Sequence, residues 1–301
     1  MTDALVAAML TLAVAVGWIG VVRLTRSVRH TSLTVAAAWA IGFQSILTVT
    51  TIATLAKSRV PLGILDQLWY LTAVSALCPF VAVLGARRGR LLEWSCFIVL
   101  PLIVVLEWPA LAQVTRCWHG QRLELETPAL IGFAFVLVMA LGQFLGTRYP
   151  MSILSWMVAW GKVGWSLRSS AAVLLVDRNA DQRIAVFFLL QFWLAVAFET
   201  WRRPITTSGW NRVWTDYLNS FGNLWALRLM ARVNEVARRD NWPWTLTDTG
   251  LTPVDPQNAL AGDPMADPRV DQIFRWLLKP FVDPEWIDER LTASTDRASD
   301  G

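Results

Sequence analysis

Long apolar runs separated by short arginine clusters make up the first two-thirds of this chain. A helix of about 20 apolar residues spans the ~30 Å hydrocarbon core of a bilayer, and several runs approach or exceed that length. Of the 301 residues, 54% are hydrophobic and 17% are charged, whereas about a quarter of the residues in a soluble domain are charged. The pattern therefore predicts an all-α, polytopic bundle of transmembrane helices and excludes an ordinary soluble globule.

Seven runs qualify as predicted spans. The sixth is the weakest, because Lys162 and Arg168 interrupt it, so six spans are the alternative. Pro79 and Pro101 lie inside the third and fourth runs, where we expect kinks, since proline cannot donate the helical hydrogen bond. In chain order the runs cover residues 4–22, 33–56, 64–86, 91–106, 129–147, 151–176 and 184–201.

The distribution of Lys and Arg predicts the orientation in the membrane, because cytoplasmic loops carry an excess of these residues. Nine basic residues lie in the loops after the first, third, fifth and seventh spans, and six lie in the other loops. We therefore predict an N-terminus outside and a cytoplasmic C-terminus; with six spans the N-terminus would move inside. The basic residues form no continuous stripe, so we expect no nucleic-acid partner.

A change in charge marks the end of the membrane region. Residues 1–204 contain 17 Lys and Arg against 9 Asp and Glu, whereas residues 205–301 contain 10 against 14. We predict a transmembrane helical domain over residues 1–204 and a small helical cytoplasmic tail domain over residues 205–292. Residues 293–301 are polar and small, and we expect them to be disordered.

An aromatic stripe is the strongest pattern in the tail. Five residues follow a 4,3,4,3 spacing, which places them on one face of an amphipathic helix of about 25 residues. Asp240, Asn241 and Pro243 are expected to end this helix, because the residue before proline avoids the helical conformation. The stripe consists of Trp210, Trp214, Tyr217, Phe221 and Leu224.

Three partners can cover this stripe. The first is the later apolar segment 273–278, in a region predicted to form one or two short helices separated near Pro280 or Pro284. The second is the bilayer surface, which basic residues on the polar face would favour. The third is another protein, for which the stripe would be the docking surface. Packing within the tail is the default expectation, because both apolar faces belong to one small domain.

Lys162 is the candidate polar site at membrane depth. A charged side chain inside a span is costly and by default suggests function, and Gly161 and Gly164 beside it would let another helix approach. The cation would face a cavity or pair with a carboxylate; in the alternative, its long side chain reaches the interface. Four acids lie near predicted span ends, where we expect headgroup-level solvation: Asp66, Glu93, Glu107 and Glu199.

Residue types that carry chemistry do not form a recognisable set in the sequence. Cys117 and His119 are two residues apart and offer two ligands, whereas zinc requires three or four. Cys78 and Cys96 lie inside apolar runs, where cysteine usually serves as a small buried residue. We therefore predict no catalytic residues, no cofactor and no metal, and the sequence identifies no small-molecule ligand.

The tail sequence also carries a resemblance. The run WNRVWTDYLNSFGNLWALRLMARVNEVARRDNWP, residues 210–243, resembles a segment of uncharacterised multi-pass membrane proteins of planctomycete-type bacteria. Those proteins similarly join several spans to a tail with Trp, Asp, Phe-Gly and LWALR features, and outside this run the likeness is one of layout. The resemblance implies a location in the cell inner membrane, but it implies no activity, substrate or catalytic residue.

These observations predict a non-enzymatic component or scaffold of a membrane complex. Its partners would be the lipid bilayer and a protein bound by the cytoplasmic tail. A transporter or permease subunit is one alternative, for which Lys162 would face a cavity. A sensor is the other, in which the loop with Cys117 and His119 receives an external signal. An enzyme is disfavoured, because catalysis requires positioned acid, base or metal groups.

Overall fold

In the part of the chain that the structure describes, the residues form helices and one short hairpin in the C-terminal third. The computed structural model describes residues 3–87, 89, 91–168, 178–202, 209–254 and 267–292. A five-residue π-helix, Ser95–Val99, joins α5 to α6. The elements are α1 Asp3–Ser27, α2 Thr34–Leu55, α3 Leu62–Ser75, α4 Cys78–Leu84, α5 Leu91–Trp94, α6 Leu100–Leu111, α7 Val114–Trp118, α8 Thr127–Gly142, α9 Pro150–Ser166, α10 Arg178–Arg202, α11 Gly209–Arg239, β1 Trp244–Thr247, β2 Gly250–Pro253, α12 Pro268–Leu278 and α13 Pro284–Thr292.

Several helices are long and apolar enough to cross a membrane. Five stretches meet that condition among the described residues, and they correspond to the first four predicted runs and the seventh. The fifth run forms a shorter apolar helix, α8, and the sixth begins with the 17 residues of α9. Residues 169–176 of the sixth run lie outside the described residues. The five stretches are Ala4–Ser27, Thr34–Leu55, Leu62–Leu84, Leu92–Leu111 and Arg183–Arg202.

Contacts between helix termini show which termini lie at the same end of the bundle. At the tail end, the loop after α1 bonds to the tail through Ser32, and the end of α4 accepts a hydrogen bond from Trp225 Nε1 at Val83 O, 3.0 Å away. At the far end, Leu125 N donates to Leu167 O at 2.8 Å, which joins the segments before α8 and after α9. Successive apolar segments consequently alternate in direction, with α3 and α4 forming one segment and α5 and α6 another.

Prolines interrupt two of the apolar stretches, as predicted. α3 ends at Ser75 and α4 begins at Cys78, with Pro79 in its first turn. The π-helix ends immediately before α6, which carries Pro101 in its first turn. The cause is the same at both places, because proline removes one backbone donor and its ring crowds the preceding turn.

An aromatic cluster occupies the centre of the bundle. Phe43 of α2 contacts Trp156 and Trp160 of α9, with ring centroids 5.3 and 5.6 Å apart. Trp156 also contacts Phe192 of α10 at 4.5 Å and Phe80 of α4 at 6.2 Å. Aromatic pairs at these separations are favourable beyond their buried area, so the cluster holds four helices together.

The helix α11 is interrupted, which corrects the expectation of one continuous amphipathic helix. Gly222 has φ 78° and ψ 173°, a conformation that is essentially restricted to glycine. The break lets Asn223 N donate to Gln143 O, 2.9 Å away in the loop after α8. The helix then continues to Arg239, and Asn241 has a positive φ of 48°, so the predicted end is confirmed.

Four of the five stripe residues are enclosed within the chain. Trp210, Trp214, Tyr217 and Phe221 are at most 2% exposed, whereas Leu224, beyond the break, is 38% exposed. Their partners are the later helices and the loop between them: Phe274 lies 5.0 Å from Trp210, and Phe281 lies 5.6 and 5.5 Å from Tyr217 and Phe221 between ring centroids. The packing alternative accounts for these four residues, so they do not form an open docking surface.

The rest of the tail differs from the sequence expectation in one element. Residues 247–254, expected as part of a loop, belong to an antiparallel hairpin in which Trp244 pairs with Pro253 and Thr247 with Gly250. Asn234 of α11 binds this hairpin, since its Oδ1 accepts from Leu246 N at 2.7 Å. The later region forms two helices, α12 and α13, as predicted. Residues 293–301, expected to be disordered, lie outside the described residues.

Replacing Gly222 by alanine should destabilise the protein. The new side chain would hold a positive φ and its Cβ would lie 3.3 Å from Gln143 O, so we expect a loss of about 1 to 3 kcal/mol. Gly42→Ala is the matched control, because open space surrounds that helical position; it should be neutral or stabilising by up to about 1 kcal/mol. Denaturant titration in detergent, followed by tryptophan fluorescence, measures both, and equal losses would contradict this account.

Candidate functional site

A cavity of about 520 Å³ lies at the tail end of the bundle, between the membrane helices and the tail. We call it the junction cavity. α1, α2, α4, α9 and α10 provide its walls, and residues of α11 and α13 complete it. Small-molecule sites in proteins usually have volumes of about 300 to 1,000 Å³. The junction cavity is therefore large enough to hold a ligand.

Apolar side chains form most of the cavity wall. Ala36, Ala37 and Ala40 of α2 leave space because their side chains are short, and Phe43 and Trp156 close the inner part. Along α2 the lining extends from Leu33 to Gln44, a length of about 16 Å at 1.5 Å per residue. The cavity thus reaches from the tail end toward the aromatic cluster at the centre of the bundle.

Polar groups surround the part of the cavity nearest the tail. Asp216 and Arg290 form an ion pair of 2.8 Å, with side chains only 15% and 18% exposed. Burial lowers the pKa of the Arg290 guanidinium, while Asp216 opposes that shift. Asn219 lies beside them, and its Oδ1 accepts a hydrogen bond from Arg148 N at 2.9 Å. We call these residues, with Arg148, the cavity mouth.

Arg148 differs from the other charged groups of the mouth. Its Nη2 donates to Thr200 O at 3.3 Å, and its guanidinium lies 5.1 Å from the centre of the Tyr149 ring. No carboxylate of the described residues lies within ion-pair distance of it. Its Nε is buried and has no hydrogen-bond partner in the described part of the chain. A buried donor of this kind is costly and requires an explanation.

Glu199 supports the cavity from the side. Its carboxylate is 5% exposed and accepts hydrogen bonds from Met151 N at 2.7 Å and from Ser152 N at 3.3 Å. Ser152 Oγ also donates to it. A carboxylate at a helix N-terminus satisfies free backbone donors and interacts favourably with the helix dipole. Glu199 therefore anchors the start of α9 to α10.

Three of the four acids near span ends are buried, which corrects the expectation that headgroup-level solvation accounts for them. Asp66, Glu107 and Glu199 are 1%, 7% and 5% exposed, and only Glu93 is exposed. The reason is that buried carboxylates are retained where hydrogen bonds or cations compensate the loss of water, and Asp66 and Glu199 have such partners.

At the far end, Asp66 forms a buried ion pair with Arg122. Arg122 Nε and Nη2 donate to the two carboxylate oxygens at 2.7 and 3.0 Å, and Leu123 N donates at 3.3 Å. A smaller cavity of about 230 Å³ adjoins this pair, with Lys57 and Arg183 also in its lining. The ion pair attaches the loop after α7 to α3.

Lys162 pairs with Asp181 of α10. The distance from Lys162 Nζ to Asp181 Oδ1 is 2.6 Å, and the Asp181 side chain is 5% exposed. Lys162 lies four residues before the end of α9 at Ser166, about 6 Å from that end. It lines neither of the two cavities described above. Its position is thus near the far end of the bundle, away from the junction cavity.

Groups that can hold a metal lie outside both cavities. Burial raises the pKa of the Cys117 thiol, which opposes formation of the thiolate that binds metals, and His119 is exposed. In the described ranges, one group of three potential ligands lies within 4.8 Å, namely His30, Asp283 and Glu285. Two of these residues are exposed, as charged surface residues commonly are.

Searches of the chain against protein-family models, curated proteins and solved structures gave no match. The site is therefore interpreted from its own geometry. Sequence reasoning did not identify the mouth residues, because Asp216, Asn219 and Arg290 meet Arg148 only after folding. In the sequence, Arg148 is one of the basic residues that follow apolar runs. The arrangement offers an apolar volume, a cation and hydrogen-bonding groups, which suits binding of an amphipathic molecule.

Removing Arg122 should destabilise the protein more than removing the charge of Asp66. Arg122→Leu leaves a 1%-exposed carboxylate without its guanidinium, so we expect a loss of about 3 to 5 kcal/mol. Asp66→Asn should cost less, because the Arg122 side chain is 31% exposed and can reach solvent. Arg232→Gln, in an exposed pair, is the control, at under about 1 kcal/mol. Thermal unfolding in detergent tests this order, and three equal effects would refute it.

Proposed function

We propose that the chain is a non-enzymatic membrane component that binds an amphipathic ligand in the junction cavity. The cavity itself carries this proposal, because an apolar volume of about 520 Å³ with a polar mouth matches the general form of ligand sites. The scaffold interpretation has less support, since the aromatic stripe that would dock a partner is packed inside the tail. The protein can still belong to a complex through other surfaces.

We further propose that seven spans cross the cell inner membrane, with the N-terminus outside and the tail in the cytoplasm. The alternating directions of the helices support an odd number of spans, because α1 and α10 both end at the tail end. The excess of basic residues in the tail-end loops supports a cytoplasmic tail. The inner-membrane location rests on the resemblance of residues 210–243.

A permease subunit is the second candidate function. The observation that favours it is the presence of two cavities near opposite ends of the bundle, the junction cavity and the charged cavity beside Asp66. A transport path would have to connect them past the central aromatic cluster. Lys162 lines neither cavity, so it does not support the permease function.

Filling the junction cavity should abolish ligand binding. Ala40→Phe introduces a ring where the wall is formed by a small residue, whereas Ala38→Phe adds the same ring on the exposed side of the same helix. We expect the wild type and Ala38→Phe to retain lipid-sized adducts in native mass spectrometry after release from detergent, and Ala40→Phe to lose them. Retention by Ala40→Phe, or absence of adducts from all three proteins, would contradict the proposed function.

Labelling of cysteines introduced one at a time should show that the far end and the tail end of the bundle are accessible from opposite sides of the membrane. In a Cys96→Ser background, Ser58→Cys lies in the far-end loop and Thr249→Cys lies in the tail hairpin, and both positions are exposed. A membrane-impermeant maleimide applied to sealed spheroplasts should label Ser58→Cys and should leave Thr249→Cys unlabelled until the membrane is opened. The reverse pattern would invert the topology, and labelling of both from outside would exclude it.

A further inference from the structure

We infer that the ligand of the junction cavity is an amphiphile with an anionic head group, and that Arg148 binds this head group at the mouth. The inference rests on the proposed function and adds the chemical class of the ligand. It depends on the charges at the mouth, on the hydrogen-bonding state of Arg148 and on the apolar wall behind it.

One cation at the mouth, Arg148, has no carboxylate partner among the described residues. Asp216 and Arg290 neutralise each other at 2.8 Å. The nearby Glu199 accepts from the start of α9 and is held there by Met151 N and Ser152. Arg148 has no such carboxylate. Arg148 therefore contributes a positive charge at the mouth that no described carboxylate neutralises at ion-pair distance.

The guanidinium of Arg148 also has unused hydrogen-bonding capacity. One of its nitrogens, Nη2, donates to a backbone carbonyl, and its buried Nε donates to no described residue. The planar guanidinium fork fits two oxygens of a carboxylate or a phosphate. An oxyanion at the mouth would accept hydrogen bonds from the guanidinium and neutralise its charge, which no described carboxylate does.

The apolar wall behind Arg148 favours binding of a hydrocarbon chain. From the mouth inward, the lining passes Ile153 and Phe80 to Phe43 and Trp156, and these side chains offer no charged group. Burial of hydrocarbon against them is favourable at roughly 25 cal/mol per Å². Ser220 and Tyr149 add polar side chains near the mouth, and Gln44, at the inner end of the lining, donates through Nε2 to Val14 O at 3.0 Å. A molecule with a charged head and an apolar chain therefore matches both parts of the cavity.

The test compares three probes of equal carbon number on the full-length protein in nanodiscs. They are laurate, dodecyl phosphate and the neutral dodecanol, and each competes for binding with a photoactivatable fatty acid, whose attachment site mass spectrometry identifies. We expect the two anions to bind at least about tenfold more tightly than the alcohol, since a hydrogen bond to a charged group contributes about 1.5 to 3 kcal/mol. The ratio of laurate to dodecyl phosphate distinguishes a carboxylate from a phosphate source.

Variants of Arg148 assign the preference to this residue. Arg148→Gln should reduce the tenfold preference to about twofold or less, and Arg148→Lys should retain part of it because the charge remains. Arg202→Gln is the control, since Arg202 is an exposed arginine at the same end of the bundle that does not line the cavity. Melting temperatures close to that of the wild type would establish that the variants are folded.

The outcomes separate this inference from the proposed function. Equal binding of dodecanol and the anions by the wild type would overturn the anionic head group and leave ligand binding intact. Preference retained in Arg148→Gln, or lost equally in Arg202→Gln, would overturn the role of Arg148. Failure of every probe to compete, together with attachment of the photoactivatable fatty acid outside the cavity wall, would overturn the proposed function itself.

Discussion

A short antiparallel bridge between residues 30–32 and 281–283 holds the tail against the membrane helices. Ser32 N donates to Phe281 O and Asp283 N donates to His30 O, each at 2.7 Å. The two segments are far apart in the chain, so their pairing requires a large loop to close. Apolar contacts compensate that loss of entropy, because Phe281 packs on the aromatic side chains of α11. The bridge attaches the segment before α13, which carries Arg290, while α11 is attached through Asn219, Asn223 and Trp225.

The junction cavity is a departure from close packing that the surrounding structure must tolerate. Protein interiors are normally packed without large voids, and an empty apolar space forgoes the contacts that its lining would otherwise make. Here the cavity is lined by short side chains on α2 and by large rings on α9 and α10. An occupied cavity would recover those contacts, which is the physical connection between this packing defect and ligand binding.

Most buried acids of the bundle have partners from a different segment. Asp66 bonds to Arg122 in a loop, Asp181 to Lys162 on the neighbouring helix, and Glu199 to the first turn of α9. Burial removes the hydration of these charged groups, which offsets much of the attraction to their partners. Arg148 stands apart from this pattern, since it lies at the mouth of the junction cavity and lacks a carboxylate partner in the described residues.

The sequence by itself determined the local features. Long apolar runs predicted the five stretches able to span a membrane, Pro79 and Pro101 predicted the two interruptions, and Pro243 with its neighbours predicted the end of α11. These properties depend on residues within a few turns of each other, so local sequence patterns are sufficient to predict them. The number of spans and the orientation remain predictions, because they depend on the membrane.

Only the tertiary structure decided what each face contacts. The 4,3,4,3 spacing placed Trp210 to Phe221 on one side of a helix, but their burial depends on Phe274 and Phe281, more than fifty residues later. The sequence does not predict the break at Gly222, because a single glycine within a helical pattern is tolerated. The short hairpin lies mostly in a segment that the sequence predicts as a loop. The candidate site was invisible for the same reason: Arg148, Asp216 and Arg290 belong to separate segments, and sequence periodicity contains no information on which segments meet.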